Sequence, residues 1–384
     1  MSVKRRGNHE GTIKQRTDGR WEAQVSLPSG KRRSLYGKTR KEAQDKLRAA
    51  LRSLDAGLDL LDERRTVAQL LETWLEDVVR ENLRPKTYRS YEQIVRLHLL
   101  PTLGRHRLAR LTPQHVQSML AEKTRAGLSS RTVQYIRAVL RQALAQALKW
   151  GWVSRNVAAF ADPPKVERTP VQPLTVEQAA SFLRATRDHP LGPLFAVAVA
   201  TGLRQGELFG LRWEDVDLDE GALRVRHAMQ RIDCTPRFVP PKSERSRRTI
   251  ALPAIAVGAL ESQRERQDEQ RLAAGERWQE WGLVFTSSVG TPLEPSNVSG
   301  RLHRQLAAAG LPRQRFHDLR HCFATAMLTE GIGARSVMEM LGHSQISLTL
   351  NTYAHVMPET LRDAAATLDA AFERQGGTGH GPSA

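Results

Sequence analysis

Four prolines fall within Ala161-Asp-Pro-Pro-Lys-Val-Glu-Arg-Thr-Pro-Val-Gln-Pro173. Each lacks an amide hydrogen and fixes its own backbone, so this stretch can be neither a continuous helix nor an interior strand. It predicts an extended linker over residues 161–173 that splits the chain into separately folded parts. With 384 residues and 40% hydrophobic content, the chain has enough apolar surface for several cores.

Charge is distributed just as unevenly. The formal net charge is +17, and residues 1–54 alone carry 15 Lys/Arg against 5 Asp/Glu. Such a balance points to a polyanion, because neutralising phosphates releases their condensed counterions. Within this basic stretch Gly11-Thr-Ile-Lys-Gln-Arg, Trp21-Glu-Ala-Gln-Val-Ser-Leu and Arg33-Ser-Leu-Tyr-Gly alternate at period two. Asp18-Gly19 and Pro28-Ser-Gly30 separate them with turn chemistry, predicting a small three-stranded sheet. Thr39 followed by Glu42 reads as a capping box for a helix to about Leu54 that covers one face. The other face, lined by Lys14, Arg16, Arg20 and Arg32, is left open to a DNA groove.

Residues 66–160 read as helices: Val67 to Glu81, Pro85 to Leu97, Thr112 to Ala126 and Ser129 to Trp150. Beyond the linker, Thr175 to Thr186, Leu191 to Leu211 and Ala254 to about Ala274 read as helices, and Leu223 to Arg231 and Arg237 to Leu252 as strands. The expected fold is therefore multidomain. A sheet-plus-helix domain (1–60) and an all-α domain (66–160) precede the linker. A mainly-α domain with a small antiparallel sheet (174–372) and a tail without apolar content (373–384) follow it. Cys234 and Cys322 are too few and too distant for a disulfide framework and read as ordinary buried thiols in a reducing compartment. No run approaches the roughly 18 apolar residues of a membrane helix, no apolar signal core follows the basic N-terminus, and no basic amphipathic helix suits a lipid surface, so a cytoplasmic protein is expected.

Three stretches of the last domain concentrate groups suited to a phosphate: Thr201-Gly-Leu-Arg-Gln-Gly-Glu-Leu208, His317-Asp-Leu-Arg-His321 and Leu341-Gly-His-Ser-Gln-Ile-Ser-Leu-Thr-Leu-Asn-Thr-Tyr-Ala-His355. In these the chain resembles the tyrosine recombinases, the phage-integrase-like family. That family's pattern is an early Arg, a hairpin Lys, His-x-x-Arg, a later His or Trp, and a nucleophilic Tyr. Arg204, Lys242, His317, Arg320, His343 and Tyr353 match it in order across some 150 residues. The resemblance extends over nearly the whole chain and implies arm-binding, SAM-like core-binding and catalytic domains, the last with the DNA breaking-rejoining fold.

The same residues suit the chemistry on elementary grounds. Attack of a hydroxyl on a phosphodiester builds negative charge on the non-bridging oxygens, which two planar, permanently charged guanidinium forks can hold. Arg204 and Arg320 supply them, and Glu207, one helical turn on, can fix Arg204. The departing 5′-oxygen needs an acid that can release its proton, as lysine can and arginine cannot. Lys242 is the only lysine after Lys165 in an arginine-rich region. Tyr353 as nucleophile needs a nearby base, with His317 the natural candidate, and His343 would bond a phosphate oxygen. A phosphotyrosine stores the energy of the broken bond, so the scheme calls for no ATP, metal or other cofactor, in keeping with a sequence that has neither a Walker-type loop nor a carboxylate cluster.

Two other readings compete. His317 and His321 at i and i+4 have the spacing of a zinc hydrolase, without an evident third ligand. Gly333 to Leu350 could form the helix-turn-helix of a non-catalytic, sequence-specific DNA-binding regulator. The resemblance favours a site-specific recombinase acting on double-stranded core and arm-type sites of a phage or other mobile element. It further implies a homotetramer on synapsed DNA, accessory DNA-bending or directionality factors, and a place at the nucleoid of a prokaryotic host. The amphipathic segment Thr360 to Phe372 offers a surface for docking on a neighbouring subunit.

Overall fold

The computed structural model describes residues 11–26, 32–55, 64–167, 172–241 and 246–342. The chain divides into two compact units, Met1–Arg168 and Thr169–Ala384.

In the first unit β1 (Thr12–Gln15), β2 (Trp21–Ser26) and β3 (Arg32–Gly37) form an antiparallel sheet in the order β1-β2-β3. Ala23 and Val25 point to one face, where α1 (Arg40–Asp55) lays Ala43, Leu47 and Ala50 against them. These three recur at helical spacing, so a single stripe fills the small core. Thr39 Oγ1 accepts the Glu42 amide at 3.2 Å, whereas the Glu42 carboxylate turns to the Lys38 amide at 2.8 Å, so the expected box closes one residue early. On the opposite face Lys14 stands across from Glu22, and Glu22 across from Tyr36. Arg16 and Arg20 lie 5.6 and 6.0 Å from the Tyr36 ring, and exposed Arg32 opens the same face, level with Ser26. Glu22 is buried amid these cations; the Ser34 hydroxyl, then the Gln24 amide and the Lys14 charge, hold its pKa down at about 2 against its burial.

A separate core gathers α2 (Val67–Trp74), α3 (Pro85–Ile94), α4 (Leu100–Leu103), α5 (Pro113–Arg125) and α6 (Ser130–Lys149). Wider π-helical turns, Leu75–Arg80 and Val95–Leu99, extend α2 and α3. Thr66, Thr112 and Ser129 cap α2, α5 and α6, so polar side chains satisfy amides that the first turns leave open. Of the proline-rich stretch, residues 161–167 and 172–173 are described; they form neither helix nor strand, and the stretch starts out docked. Ala161 is buried, Gln117 and the Asp162 backbone exchange bonds of 3.1 and 2.8 Å, and Gln134 donates to the Pro164 carbonyl at 3.1 Å.

The second unit opens with α7 (Val176–Ala185), α8 (Gly192–Thr201) and α9 (Gln205–Phe209). A single helix over 191–211 is not formed, because Gly202 takes a left-handed φ of 60° and ends α8. The two strands expected from 223 to 252 are also shorter than the sequence suggests. β4 (Val216–Asp217), β5 (Ala222–Val225) and β8 (Arg248–Ala251) form one sheet, and β6 (Ala228–Ile232) with β7 (Thr235–Val239) another. The first strand breaks at Arg226-His227, where Arg226 pairs with buried Asp215 at 3.2 Å. The second stops before Pro240-Pro241, which have no amide to continue a ladder. Asp233 and Cys234 make the β6–β7 turn at φ 52° and 62°, leaving Cys234 exposed rather than buried as expected. Cys322 is the buried thiol, and burial pushes its pKa up to about 11.

Then follow α10 (Ala254–Ala274), α11 (Pro295–Ala308), α12 (Asp318–Thr329) and α13 (Ala334–Leu341), of which the sequence delimits only α10. Phe182, Leu194, Phe195, Leu302 and Leu319 lie in the core that α7, α8, α10, α11 and α12 share, whereas α13 packs Val337 and Leu341 against Phe323 and Ala324 in a separate cluster. Among the described residues no helix is long and apolar enough to cross a membrane.

Candidate active site

Three breaks in helical structure bring the candidate residues together. At the first, Gly202 turns the chain out of α8, so that Arg204 sits in extended backbone at the N-cap of α9. Glu207, in the first turn of α9, reaches back: one carboxylate oxygen accepts the Arg204 amide at 3.1 Å and the other accepts Arg204 Nη1 at 2.7 Å. The carboxylate thus fixes both ends of the residue it follows. A side chain added at Gly202 would meet Phe323 at 2.7 Å and Leu341 at 2.8 Å, so glycine is needed for space as well as for its φ.

The second break is the start of α12. His317 is its N-cap, and Asp318 in the first turn holds Arg315 through both its guanidinium (2.8 Å) and its amide (2.8 Å). One turn on, Arg320 is 3% exposed. Its guanidinium donates to the Gly202 carbonyl at 2.7 Å and to the Leu341 carbonyl at 2.6 Å. The rings of His317 and His321 meet edge to face at 5.4 Å. Burial, then the Arg320 charge, lowers the pKa of His317; burial and His317 itself bring His321 down to about 4. Both imidazoles are therefore neutral at neutral pH, and His317 is able to accept a proton. Among the described residues no group of three or more His, Cys, Asp or Glu side chains gathers as a metal site, so the His317–His321 pair has no third ligand there.

The third break ends α13, where Gly342 adopts φ 63°. Arg204 Nη2 donates to the Gly342 carbonyl at 2.9 Å, next to the Leu341 carbonyl held by Arg320. Two guanidinium groups from distant parts of the chain, residues 204 and 320, thus converge on consecutive peptide groups. Burial opposes the charge on Glu207, yet Arg248 first and Arg204 second hold its carboxyl below the ordinary value.

Of the residues singled out in the sequence, Arg204, Glu207, His317 and Arg320 are drawn together here. Lys242, His343 and Tyr353 lie outside the described residues, as does the segment Thr360 to Phe372. Their described neighbours border the cluster. Ser246 Oγ accepts from Arg204 Nη1 at 3.4 Å, and Gly342 directly precedes His343. Arg248, which sequence reasoning missed, joins the same network through Glu207 at 3.0 Å. Its sequence signal is faint: inward Ser246, Arg248 and Ile250 alternate with exposed Arg247 and Thr249. Lys14 and Arg32 lie in β1 and β3 of the first unit's sheet, and Arg16 and Arg20 flank the turn between β1 and β2.

Comparison with known proteins adds an independent line. Residues 172–360 match the phage integrase family, and residues 66–123 match the N-terminal SAM-like domain of phage integrases. A tyrosine recombinase XerC-like protein of Caldanaerobacter subterraneus is 31% identical over 360 residues, covering 89% of this chain and 92% of that protein. An integrase of Streptomyces ambofaciens is 33% identical, covering 92% and 94%. Among solved structures, the Tn1549 transposon integrase with a circular intermediate DNA superposes with a TM-score of 0.69 at 22% identity, over 79% of this chain and 99% of that one. A lambda integrase tetramer bound to a Holliday junction gives 0.56 at 21% identity, over 91% and 96%.

Proposed function

The chain belongs to the phage integrase family of tyrosine recombinases, enzymes that cleave and rejoin DNA, and from that premise we propose that Tyr353 is the nucleophile of a site-specific integration or excision reaction. The phenolic oxygen attacks the scissile phosphorus and passes its proton to His317. The bond from phosphorus to the 5′-oxygen breaks, and that oxygen takes a proton from Lys242. A 3′-phosphotyrosine and a free 5′-hydroxyl remain. Attack by the 5′-hydroxyl of a partner strand reverses each transfer, so bond energy is conserved without ATP.

Arg204 and Arg320 hold the non-bridging oxygens, joined by His343, while Glu207 fixes Arg204. The observation that carries this reading is the convergence of Arg204 and Arg320 on adjacent peptide groups, beside a histidine whose burial keeps it neutral. Fixed guanidinium groups in a partly dehydrated setting stabilise developing phosphate charge far better than mobile ones in water.

In this proposal residues 1–60 bind arm-type sites through Lys14, Arg16, Arg20 and Arg32, residues 66–160 bind the core site, residues 161–173 link the two units, and 174–372 carry the chemistry. Double-stranded DNA is the partner, and a homotetramer assembles on two paired sites in the cytoplasm of a prokaryotic host. Relatives in fold include integrases bound to DNA as dimers and tetramers, which supports this reading. Charged residues in place of Leu361 and Leu368 then impair synapsis; unchanged assembly on DNA would argue against that role.

Incubation with a nicked suicide site tests the chemistry. The wild type is expected to give an adduct that survives denaturation. Tyr353→Phe, which removes only the hydroxyl, is expected to bind the site and give none. An adduct with the phenylalanine variant would overturn the assignment.

A further inference from the structure

Arg248 has no part in the reaction just described, yet its side chain is only 7% exposed. Withdrawing a guanidinium from water is expensive unless each of its faces finds a partner. Arg248 finds three: Nε donates to the Met340 carbonyl at 2.7 Å, Nη1 to the Ser246 carbonyl at 3.1 Å, and Nη2 to the Glu207 carboxylate at 3.0 Å. The partners belong to three distant stretches, the end of α13, the lead-in to β8, and α9.

A pattern emerges at the C-terminus of α13. The carbonyls of Met340, Leu341 and Gly342, three in a row, are held by Arg248, Arg320 and Arg204 in turn. The last carbonyls of a helix have no partner within it and stand at the negative end of its dipole, where cations are favoured. Glu207 ties the first and last of these arginines together, because one of its oxygens accepts from both Arg248 and the Arg204 amide. Residue 343 follows directly on this clamped turn.

We infer that Arg248 is a positioning residue for strand cleavage. It locks the last turn of α13 and, through Glu207, sets the Arg204 fork, so that the segment carrying His343 and Tyr353 departs from a fixed point relative to both phosphate-binding guanidiniums. This inference rests on the phosphotyrosine reading above. Arg248 does not touch the reacting atoms, so its loss reduces the rate of cleavage and leaves binding of the site intact.

The full-length wild type, Arg248→Gln, Arg248→Lys and the exposed neighbour variant Arg247→Gln are compared on nicked suicide sites at saturating protein. One substrate carries the normal 5′-oxygen and one a 5′-bridging sulfur. A thiolate leaves without a proton donor, so sulfur restores variants whose defect lies in Lys242 but not variants in which Arg204 and the α13 turn are misplaced. The expected result is a single-turnover cleavage rate lower by roughly 100-fold for Arg248→Gln on both substrates, the scale of a small misplacement of reacting groups, with site affinity retained and Arg247→Gln normal. Arg248→Lys keeps the charge but not the planar fork, so it is expected to melt close to wild type and still cleave slowly. Wild-type rates in either Arg248 variant, a rescue by sulfur, or a fall in affinity equal to the fall in rate would each overturn the inference. If Arg248→Gln does not fold, Arg248→Lys decides by the same readings. Failure of the wild type itself to form an adduct would instead sink the phosphotyrosine reading on which the inference stands.

Discussion

Glu207 offers the sharpest test of how the candidate site is held. Its carboxylate is 4% exposed and accepts three charge-assisted bonds, two from Arg204 and one from Arg248. Removing one member of a buried ion pair costs about 3–5 kcal/mol, because the other charge is left without compensation. The Arg204 side chain is 33% exposed and is partly rescued by water, whereas Arg248 at 7% is not. About 3 kcal/mol is therefore expected for Glu207→Ala, discounted for that screening. Glu207→Gln keeps the shape but turns one acceptor into a donor facing a donor, and about 2 kcal/mol is expected. At about 2–4 °C per kcal/mol for a unit of this size, Glu207→Ala lowers the melting temperature of the second unit by roughly 6–12 °C. Scanning calorimetry of the full chain measures it, with Glu339→Gln as control. Glu339 pairs with Arg335 at 3.4 Å on the open surface, and its loss is expected to cost less than about 0.5 kcal/mol. A Glu207→Ala shift no larger than the control's would refute the view that the carboxylate anchors a buried charge network.

Other outcomes follow from the same structure. Gly202→Ala should destabilise the second unit by about 2 kcal/mol or more, since it adds left-handed strain to collisions with Phe323 and Leu341, and urea unfolding will measure it. His317 and His321 are held neutral by burial, so their folded pKa values lie below the unfolded value of about 6.5. Their contribution is complete above that value and is lost as pH falls toward about 4, the folded value of His321. The urea midpoint should accordingly drop between pH 7 and pH 5, with a shallower slope in His321→Gln; a flat profile would contradict this. Native protein should take up one equivalent of a thiol-alkylating reagent, at exposed Cys234, with Cys322 reacting only after unfolding.

Much of this architecture is legible in the sequence because it rests on local signals. Period-two alternation and Asp18-Gly19 mark the N-terminal sheet, Thr39 marks the start of α1, and α10 runs over the residues its periodicity assigns. What the sequence hides depends on tertiary context. Arg226 and His227 carry no turn signal, yet the Arg226 ion pair with Asp215 interrupts the strand there. Asp233-Cys234 adopts a turn usually written with glycine, so the hairpin and the exposure of Cys234 go unseen. In the candidate site Arg204, Glu207, His317 and Arg320 stand out through their motifs, whereas Arg248 sits in Arg245-Ser-Arg-Arg248 among residues of identical type. Its burial, its ion pair with Glu207 and the carbonyl of Met340, contributed by a helix 92 positions away, distinguish it from Arg247.

In the proposed reaction one phenolic oxygen near the C-terminus becomes joined to DNA. The protein–DNA adduct trapped on a nicked site can be digested with trypsin and nuclease and its peptides weighed and fragmented. The expected result is a nucleotide phosphate on the peptide spanning 336–362, localised to Tyr353. A phosphate on any other residue, or no modified peptide from a protein that binds the site, would contradict it.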